Sequence, residues 1–354
     1  MTNTFKNFDI TLQLDDKMSL KKWKYFQVVK NLARKFVRRR SDWAIGIYVG
    51  ESLVKFGSPK NINNPVLTAK DVTDVPADFV ADPFMVRENG TWYMFFEVLN
   101  GLDQQGDIGL AISNDGFKWK YQQIVLDEPF HLSYPYVFKH QNDYYMIPES
   151  YKANSVRLYK AVDFPTKWTF VKTLLDDADY VDSSVFHDKG MWWMFTTSPK
   201  SDILRLYYAT HFMEAWTEHP KSPVIEKNLN IARPGGRVIV YNDRIFRYTQ
   251  DDEHFYGNKV RAFEITELTT TTYEEKEVRE NPILKASGSG WNKTGMHNID
   301  PHQIGEDKWI ACVDGYRIVV DFGIELRNRI KIITFLKKLV RPLHGHNFRT
   351  DGTK

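Results

Sequence analysis

Apolar and aromatic residues recur in short runs along most of the chain, and turn-forming residues separate the runs. In residues 79–97, two such runs flank Asn89-Gly90. An Asn-Gly pair between apolar runs is the strongest short-range signal of a β-hairpin. The pattern therefore predicts two paired strands, which place Asp82 and Glu97 side by side at their open ends.

The hairpin pattern occurs five times along the chain. The starts of the first strands are marked by Asp82, Tyr134, Asp182, Arg233 and Asp300. The ends of the second strands are marked by Glu97, Glu149, Thr197, Gln250 and Asp314. Self-similarity at ~40–60 residues, with about four short strands per copy, is typical of a β-propeller. We therefore predict an all-β, five-bladed β-propeller at residues 43–320, in which residues 43–49 supply the outer strand that the fifth copy lacks.

Both ends of the chain show a helical pattern instead. Apolar residues fall at three- and four-residue spacing in residues 19–40 and 324–343, with Lys and Arg between them. We therefore predict basic helical extensions at residues 1–42 and 321–354. Two interpretations of these ends stay open: an accessory helix with a solvated charged face, or a helix lying on an anionic membrane surface.

Charge is distributed unevenly along the sequence. The 354 residues carry 48 Lys and Arg against 45 Asp and Glu, a formal net charge of +3. Sixteen of the 48 basic residues lie in residues 18–41 and 326–350, which leaves 32 basic residues against the 45 acidic ones. The resulting acidic body is poorly suited to nucleic acid, because phosphate contacts need a basic face.

The sequence also predicts a cellular location. No apolar run approaches the ~20 residues that span a bilayer, and the first residues lack the hydrophobic core of a secretion signal. Cys312 is the only cysteine, which excludes an intramolecular disulfide and a thiolate zinc cluster. We therefore expect a cytoplasmic protein, peripheral at the inner membrane face if the basic ends bind lipid.

Propeller geometry brings the repeated positions together. The start of each first strand and the end of the next strand face one mouth of the central channel, so several carboxylates should gather there. Their mutual repulsion is expected to raise the pKa of at least one, as a general acid needs. Tyr134 would offer an apolar face to a sugar ring, and Arg233 and Arg317 would hold an anionic group.

Each of these residues also has a structural alternative. Asp82, which precedes a proline, could be a turn device; Asp182 could form a local turn with the serines after it, and Glu149 a salt bridge at the rim. His297 and His302 have no further ligand spacing and are weak evidence for a metal site. Oxygen ligands from Asp82, Glu149 and Asp300 could hold calcium, but no spacing requires it, and we assign no metal ligands and no cofactor. The repetition of carboxylates at one strand position favours the functional interpretation.

Residues 81–84 (Ala-Asp-Pro-Phe) and 89–95 (Asn-Gly-Thr-Trp-Tyr-Met-Phe) resemble the first blade of five-bladed glycoside hydrolases of families 43, 32 and 130. In those families, an aspartate that opens the first blade acts as base or nucleophile. An aspartate that opens the third blade tunes a pKa or holds the sugar. The resemblance therefore implies these two roles for Asp82 and Asp182, which would face each other across the mouth.

The resemblance departs at the proton donor. A glutamate that often opens the fourth blade serves as acid in those families, and here Arg233 begins that stretch. The acid would then be Glu149, Glu97 or Asp300, and we assign it to Glu149. Glu97 is expected to lie behind the residues that contact substrate.

A second and closer resemblance covers residues 43–317. An ordered set of motifs is similar to the N-terminal, propeller-like domain of plant glucosamine inositolphosphorylceramide transferases and to bacterial proteins that carry the same module. These motifs are His131-Leu132-Ser133-Tyr134-Pro135, Ile147-Pro148-Glu149-Ser150, Trp216-Thr217-Glu218-His219-Pro220, Arg233-Pro234-Gly235-Gly236, Tyr248-Thr249-Gln250-Asp251 and Tyr256-Gly257. This resemblance implies that the chain takes part in carbohydrate chemistry.

We therefore expect a glycosidase-like or glycosyl-transferring enzyme that acts at an acidic mouth on a glycan, nucleotide-sugar or glycolipid. The predicted substrate-binding residues are Tyr134, Arg233, Gln250, Tyr256, His297, Asp300 and Arg317. The alternatives are a non-catalytic glycan- or lipid-binding module at the cytoplasmic membrane face, and a scaffold whose propeller face binds a protein partner.

Overall fold

The computed structural model describes residues 37–322, and it shows five antiparallel sheets arranged as the blades of a β-propeller. The first blade consists of β3 (Ala77–Glu88), β4 (Thr91–Asn100), β5 (Gln105–Ser113) and β6 (Lys120–Leu126). The second consists of β7 (Ser133–His140), β8 (Asp143–Glu149), β9 (Ser155–Asp163) and β10 (Lys167–Asp176). The predicted all-β, five-bladed fold is confirmed.

The third and fourth blades have divided strands. The third consists of β11 (Val181–Asp188), β12 (Met191–Thr197), β13 (Ile203–Ala209) and two short outer strands, β14 (Thr217–Glu218) and β15 (Ile225–Glu226). The fourth consists of β16 (Arg233–Pro234) and β17 (Ile239–Tyr241), which share the inner position, β18 (Arg244–Asp251), β19 (Lys259–Leu268), β20 (Tyr273–Glu277) and β21 (Leu284–Lys285). Two 3-10 turns, at Ala69–Asp71 and Tyr151–Ala153, are the helical elements among the described residues.

The fifth blade closes the ring by joining the two ends of the propeller sequence. Its strands are, from the inside outward, β22 (Ile299–Gly305), β23 (Lys308–Phe322), β1 (Val37–Ser52) and β2 (Lys55–Gly57). The N-terminal segment therefore closes the blade, but β1 is its third strand. The outer strand is β2, because the chain turns back after Ser52 and pairs once more with β1.

The terminal predictions need one correction. Residues 37–40, which the helical pattern included, belong to β1, and residues 321–322 belong to β23, because both segments continue strands of the closing blade. The rest of the predicted helical extensions, and the membrane contact proposed for them, lies outside the described residues. No helix within residues 37–322 is long and apolar enough to cross a membrane.

Aromatic side chains fill the space between neighbouring blades. Phe84 on the first inner strand packs edge-on against Tyr134 on the second, with ring centroids 4.7 Å apart. Phe138, on the second inner strand, packs likewise against Phe212 of the third blade at 5.3 Å. Such contacts bury large apolar areas, and each Å² of apolar surface removed from water stabilises the fold by roughly 25 cal/mol. They therefore fix each blade against the next. The mouth is thus built on a rigid base.

The fourth inner strand makes a detour that the other inner strands lack. Between β16 and β17, residues 235–238 lie opposite only two residues of β18. Gly236 has φ of 145°, and a Cβ there would lie 1.8 Å from the carbonyl oxygen of Ile299. Only glycine fits so close an approach between two blades. The detour carries Arg237 into the channel.

Candidate active site

The first three inner strands share a backbone feature near the mouth. The first three inner strands each contain a β-bulge, between Ala81 and Phe84 in the first blade and at the equivalent places in the next two. Within the bulges Asp82, Tyr134 and Asp182 have φ of 53°, 43° and 53°. This left-handed backbone is costly for residues with a Cβ, and a bulge re-aims the side chain. Such local strain is concentrated at functional sites.

Charged and polar side chains from all five blades meet behind these bulges. We call this group the mouth cluster; its members are Asp82, Glu97, Glu149, Asp182, Arg233, Gln250, His297 and Asp314. They lie on inner strands or on second strands, except His297, which immediately precedes the inner strand of the fifth blade. The carboxylates are deeply buried: Asp82 is 5% exposed and Asp182 is 1% exposed. The predicted convergence of these strand positions is therefore what the structure shows.

Arg233 joins the third and fourth blades. Its Nε donates to Asp182 Oδ2 over 2.6 Å, and its Nη2 lies 3.8 Å from Glu149 Oε2. Gln250 Nε2 donates to the same oxygen of Asp182 over 2.8 Å. The guanidinium is therefore already occupied by carboxylates of the protein. It holds Asp182 in place, whereas the sequence predicted that it would bind substrate.

His297 forms a second arrangement with two aspartates. Its Nδ1 lies 2.8 Å from Asp314 Oδ1, and its Nε2 lies 3.6 Å from Asp82 Oδ1. Asp314 also accepts hydrogen bonds from the backbone N–H groups of Asp82, His297 and Asn298. Burial opposes the cationic form, but the carboxylates of Asp314 and Asp82 raise the pKa of His297 to about 9. A histidine cation at neutral pH thus faces Asp82.

The acidic groups of the mouth cluster are pushed toward their protonated forms. Burial raises the pKa of Asp82 to about 7, although His297 opposes the rise. Burial and the neighbouring carboxylates Asp82 and Glu149 hold the pKa of Glu97 well above its usual range. The pKa of Glu149 is raised in the same way by burial and Asp182, while Arg233 lowers it. Carboxyl groups with separated pKa values are the requirement for acid–base chemistry at neutral pH.

Several buried acceptor atoms at the mouth have no hydrogen-bond partner. They are Asp82 Oδ1, Asp182 Oδ1, Gln250 Oε1, Asp252 Oδ2 and Asn298 Oδ1. Within the described part of the chain, the other buried side-chain atom in this state is Trp193 Nε1, in the outer part of the third blade. An unsatisfied buried polar group costs about 1–3 kcal/mol. The mouth therefore contains several buried acceptor atoms for which the protein supplies no hydrogen-bond donor.

Aromatic rings cover the mouth cluster. Trp43 of β1 stacks on His297 with ring centroids 4.1 Å apart, and Tyr316 packs against the other side of this tryptophan at 4.3 Å. Tyr256 contacts His297 edge-on, and its ring lies 5.1 Å from the Arg233 guanidinium carbon. Tyr256 is 47% exposed. It is thus the aromatic face that a ligand entering the mouth would meet.

Two predicted binding residues lie outside the mouth cluster. Asp300 lies on the inner strand of the fifth blade, and it pairs with Arg237 at 2.5 Å and with His302 at 2.9 Å inside the channel. Arg317 lies on β23 three residues after Asp314, and its Nε lies 3.1 Å from Asp42 Oδ2.

Tyr134 has a different position from the one predicted for it. It is fully buried, and its hydroxyl accepts a hydrogen bond from the backbone N–H of Gly236 over 2.8 Å and lies 2.9 Å from Ser184 Oγ. The Tyr134 hydroxyl therefore holds the fourth-blade detour in place, and protein neighbours cover the faces of the ring.

Trp43 was not among the candidate residues, because it precedes the first repeat and carries no repeat signal. Its place above His297 depends on the closure of the ring by β1. Gln250 and Asp314, by contrast, were found through the alignment of second-strand ends. Glu97, which the sequence analysis placed behind the residues that contact substrate, is buried among the carboxyl groups of the mouth cluster.

Asp82, His297 and Asp314 lie close enough to act as ligands of one metal ion. However, both oxygens of Asp314 already accept hydrogen bonds from backbone N–H groups. Only Asp82 Oδ1 and His297 Nε2 remain free, and two atoms are fewer than metal sites in proteins normally supply. The arrangement fits a charged histidine between two carboxylates better than a metal centre.

Comparison with known proteins identifies the family. The model of the N-terminal domain of glucosamine inositolphosphorylceramide transferase 1 matches residues 38–316. The chain belongs to this family. Curated relatives are glucosamine inositolphosphorylceramide transferase 1 of Oryza sativa subsp. japonica, 36% identical over 300 residues, and that of Arabidopsis thaliana, 34% identical over 302 residues.

The matched segments cover 78% of this chain but only 40% of the rice protein and 39% of the Arabidopsis protein. The chain thus spans about two fifths of the length of these relatives. The matches therefore establish the family to which this propeller domain belongs.

Solved structures confirm the architecture. The catalytic domain of a GH62 α-L-arabinofuranosidase from Coprinopsis cinerea superposes with a TM-score of 0.52 at 13% identity, covering 78% of this chain and 97% of that one. A glycosyl hydrolase from Bacteroides ovatus gives a TM-score of 0.51 at 12% identity, covering 72% and 92%. At such low identity these matches establish the fold alone.

Proposed function

We propose that the mouth cluster is the active site of an enzyme that transfers a glycosyl unit from a sugar donor to water or to an acceptor hydroxyl. The observation that carries this proposal is the set of five buried, unpartnered oxygens at the mouth. All are acceptors, so the ligand that satisfies them must bring several donors. A sugar ring with its hydroxyl groups has this property.

Asp82 is the general base in this proposal. Its Oδ1 is free of hydrogen bonds, and its pKa of about 7 suits a base that works near neutral pH. His297 faces the same oxygen and stabilises the carboxylate form. The position of Asp82 at the start of the first blade is also the position that the resemblance to glycoside hydrolases implies for a base or nucleophile.

Asp182 is the orienting carboxylate. Arg233 and Gln250 fix its Oδ2, which leaves Oδ1 unpartnered and available for a sugar hydroxyl. Tyr256 supplies a partly exposed ring for the apolar face of the sugar. Two protonated carboxyl groups, Glu97 and Glu149, are available as proton donors.

The names of the relatives support a glycolipid or glycan as substrate, since they include both an amino sugar and inositolphosphorylceramide. For this chain we propose the same broad class: a sugar carried on, or delivered to, a lipid or glycan. The basic ends of the chain would favour an anionic membrane surface as the place of action.

A panel of aryl glycosides, nucleotide-sugars and oligosaccharides tests the proposal. The wild-type protein should turn over at least one of them, and Asp82→Asn should reduce kcat by about 10²–10⁴-fold without loss of fold. A matched variant, Glu253→Gln, changes an exposed carboxylate near the rim and should keep full activity. Turnover that Asp82→Asn retains in full would refute the assignment. Sugar binding without turnover would identify a binding module instead.

A further inference from the structure

Glu97 and His131 form a pair that the mechanism above leaves unassigned. His131 belongs to the segment that leads into β7, and Glu97 lies at the mouth end of β4. The Nε2 of His131 lies 3.4 Å from Glu97 Oε1. The His131 side chain is 26% exposed, whereas Glu97 is buried. The pair therefore links the rim of the mouth with its buried carboxylates.

The backbone fixes the tautomer of His131. The N–H of Gly106 donates to His131 Nδ1 over 2.9 Å, so this nitrogen must be the unprotonated one. The proton of the neutral ring is then on Nε2, which faces Glu97. Burial, with a small contribution from Lys152, lowers the pKa of His131, which keeps the ring neutral at physiological pH.

Gly106 shows that the pair is closely fitted. A Cβ at this position would lie 2.3 Å from the carbonyl oxygen of Leu132, 2.8 Å from His131 Cε1 and 3.0 Å from Glu97 Oε1. Any larger residue would push the imidazole or the carboxyl group out of place. The His131 and Glu97 side chains are thus packed over Gly106 with Glu97 Oε1 near the imidazole.

This geometry selects the oxygen of Glu97 that carries a proton. The Nε2 of His131, which carries the proton of the neutral ring, lies 3.4 Å from Glu97 Oε1. That oxygen is therefore the less favourable place for the acidic proton of Glu97, which belongs on Oε2. Glu149, the other candidate, is closer to a cation, since Arg233 Nη2 lies 3.8 Å from its Oε2. A neighbouring guanidinium favours the ionised form of a carboxyl group. Glu97 faces a neutral imidazole instead, which does not favour its ionised form in this way.

We propose that Glu97, held by His131, is the carboxylic acid that protonates the leaving group, in the place of the fourth-blade glutamate that Arg233 has replaced. The inference rests on the proposed glycosyl-transfer function. It differs from the sequence-based prediction, which gave this role to Glu149. Glu97 would be a catalytic residue and His131 a positioning residue.

The proton and electron balance is complete. Glu97 Oε2 gives its proton to the leaving oxygen as the bond between that oxygen and the anomeric carbon breaks, and the bonding electron pair stays on the oxygen. Water or an acceptor hydroxyl attacks the anomeric carbon and loses its proton to Asp82. After the products leave, Asp82 releases this proton to solvent and Glu97 regains one from solvent.

Leaving-group dependence tests the assignment. An acid is needed for a poor leaving group such as methoxide and hardly needed for 2,4-dinitrophenolate. Glu97→Gln should therefore lose about 10²–10⁴-fold in kcat/KM on methyl glycosides and much less on dinitrophenyl glycosides of the same sugar. Glu149→Gln, the matched control, should lose a similar factor on both. The reverse pattern, or an equal loss for Glu97→Gln on both substrates, would overturn the proposal.

His131 has its own test. His131→Asn keeps an acceptor for the Gly106 N–H but removes the group that faces Glu97. The loss of kcat/KM in this variant should therefore also be larger on methyl glycosides than on dinitrophenyl glycosides. His131→Gln, which restores an N–H near the position of Nε2, should recover part of that loss. Equal losses on both substrates would show a purely structural role for His131.

A measurement without substrate separates this inference from the proposed function. Carbon-13 NMR of the free protein should show the Glu97 carboxyl group protonated at pH 7. An ionised Glu97 would overturn the inference whatever the enzyme does. Wild-type protein that turns over no glycoside would instead refute the glycosyl-transfer function and leave the protonation state of Glu97 to be judged by this spectrum.

Discussion

Arg233 donates from Nε to Asp182 Oδ2 over 2.6 Å, and this contact ties the third blade to the fourth at the mouth. In the glycosidases that the sequence resembles, the fourth blade often supplies an acid at this place. A guanidinium here changes the chemistry, because it neutralises negative charge instead of donating a catalytic proton. Arg233 is thus part of the framework that allows several carboxyl groups to be buried together.

Replacement of Arg233 should destabilise the fold strongly. Arg233→Met leaves Asp182 and Glu149 buried without their cation, and breaking a buried pair in this way typically costs about 3–5 kcal/mol. Urea unfolding at pH 7 measures the change. Arg317→Met is the control: its partner Asp42 lies at the surface, and an exposed pair contributes about 0–1 kcal/mol. Equal losses in the two variants would contradict this account of Arg233.

The protonation of His297 should make stability depend on alkaline pH. Its pKa is about 9 in the folded protein, above the value of about 6.5 in an unfolded chain. The contribution of protonated His297 to the free energy of unfolding is therefore complete below pH 6.5. It is lost as pH rises through 9, by an amount on the order of 2–3 kcal/mol.

Unfolding free energies at pH 6, 8 and 10 measure this loss. The wild-type value should fall across the series, and His297→Gln should show a flatter profile. If the substitution leaves the slope unchanged, the cation does not form between Asp314 and Asp82.

Asp300 should govern stability on the acid side. Burial alone would raise its pKa, but Arg237 and His302 hold the pKa at about 2, below the usual 3.8. The contribution of ionised Asp300 to the free energy of unfolding is therefore present above pH 3.8, and it is lost as pH falls through 2.

Asp300→Asn should cost about 3–5 kcal/mol at pH 6, because Arg237 then lacks its buried partner. Its stability should also change less than that of the wild type between pH 4 and pH 2. Glu51→Gln, which removes an exposed pair with Lys55, serves as the control and should leave the free energy of unfolding nearly unchanged. An acid profile of Asp300→Asn that matches the wild type would contradict the assignment.

Tyr256 should contribute to substrate affinity. Its ring is partly exposed above Arg233 and His297, and an aromatic contact is worth about 0.5–1.5 kcal/mol. Tyr256→Ala should therefore weaken sugar binding by about 2–10-fold, and Tyr256→Phe should restore it. The neighbouring Phe255, 43% exposed, has no contact with the mouth cluster among the described residues. Phe255→Ala should leave the dissociation constant unchanged; an equal loss in both alanine variants would argue against a specific stacking face.

The fold followed from sequence because each blade carries its own local signals. Turn residues, aromatic second strands and the spacing of the copies all report on the same unit, so residues far apart in the chain could be aligned. That alignment also found Asp82, Asp182, Glu149, Gln250 and Arg233, since equivalent strand positions point to one mouth.

The alignment of the sequence repeats did not predict the structure where the spacing within a repeat changes. Residues 235–238 insert a detour into the fourth inner strand, and this detour forms the Arg237–Asp300 pair inside the channel. The pairing of His131 with Glu97 was not predicted either. It depends on the missing Cβ of Gly106 in β5, which lets the segment before β7 approach β4 and β5 at a distance that no periodic pattern encodes.

The most direct test of the central claim is a crystal structure of the protein soaked with a sugar that it turns over or binds. We expect density at the mouth, with sugar hydroxyl groups within hydrogen-bond distance of Asp82 Oδ1 and Asp182 Oδ1, two buried carboxylate oxygens that have no hydrogen-bond partner in the free protein. Sugar density elsewhere on the propeller, with both oxygens still unpartnered, would contradict the assignment of the mouth as the active site.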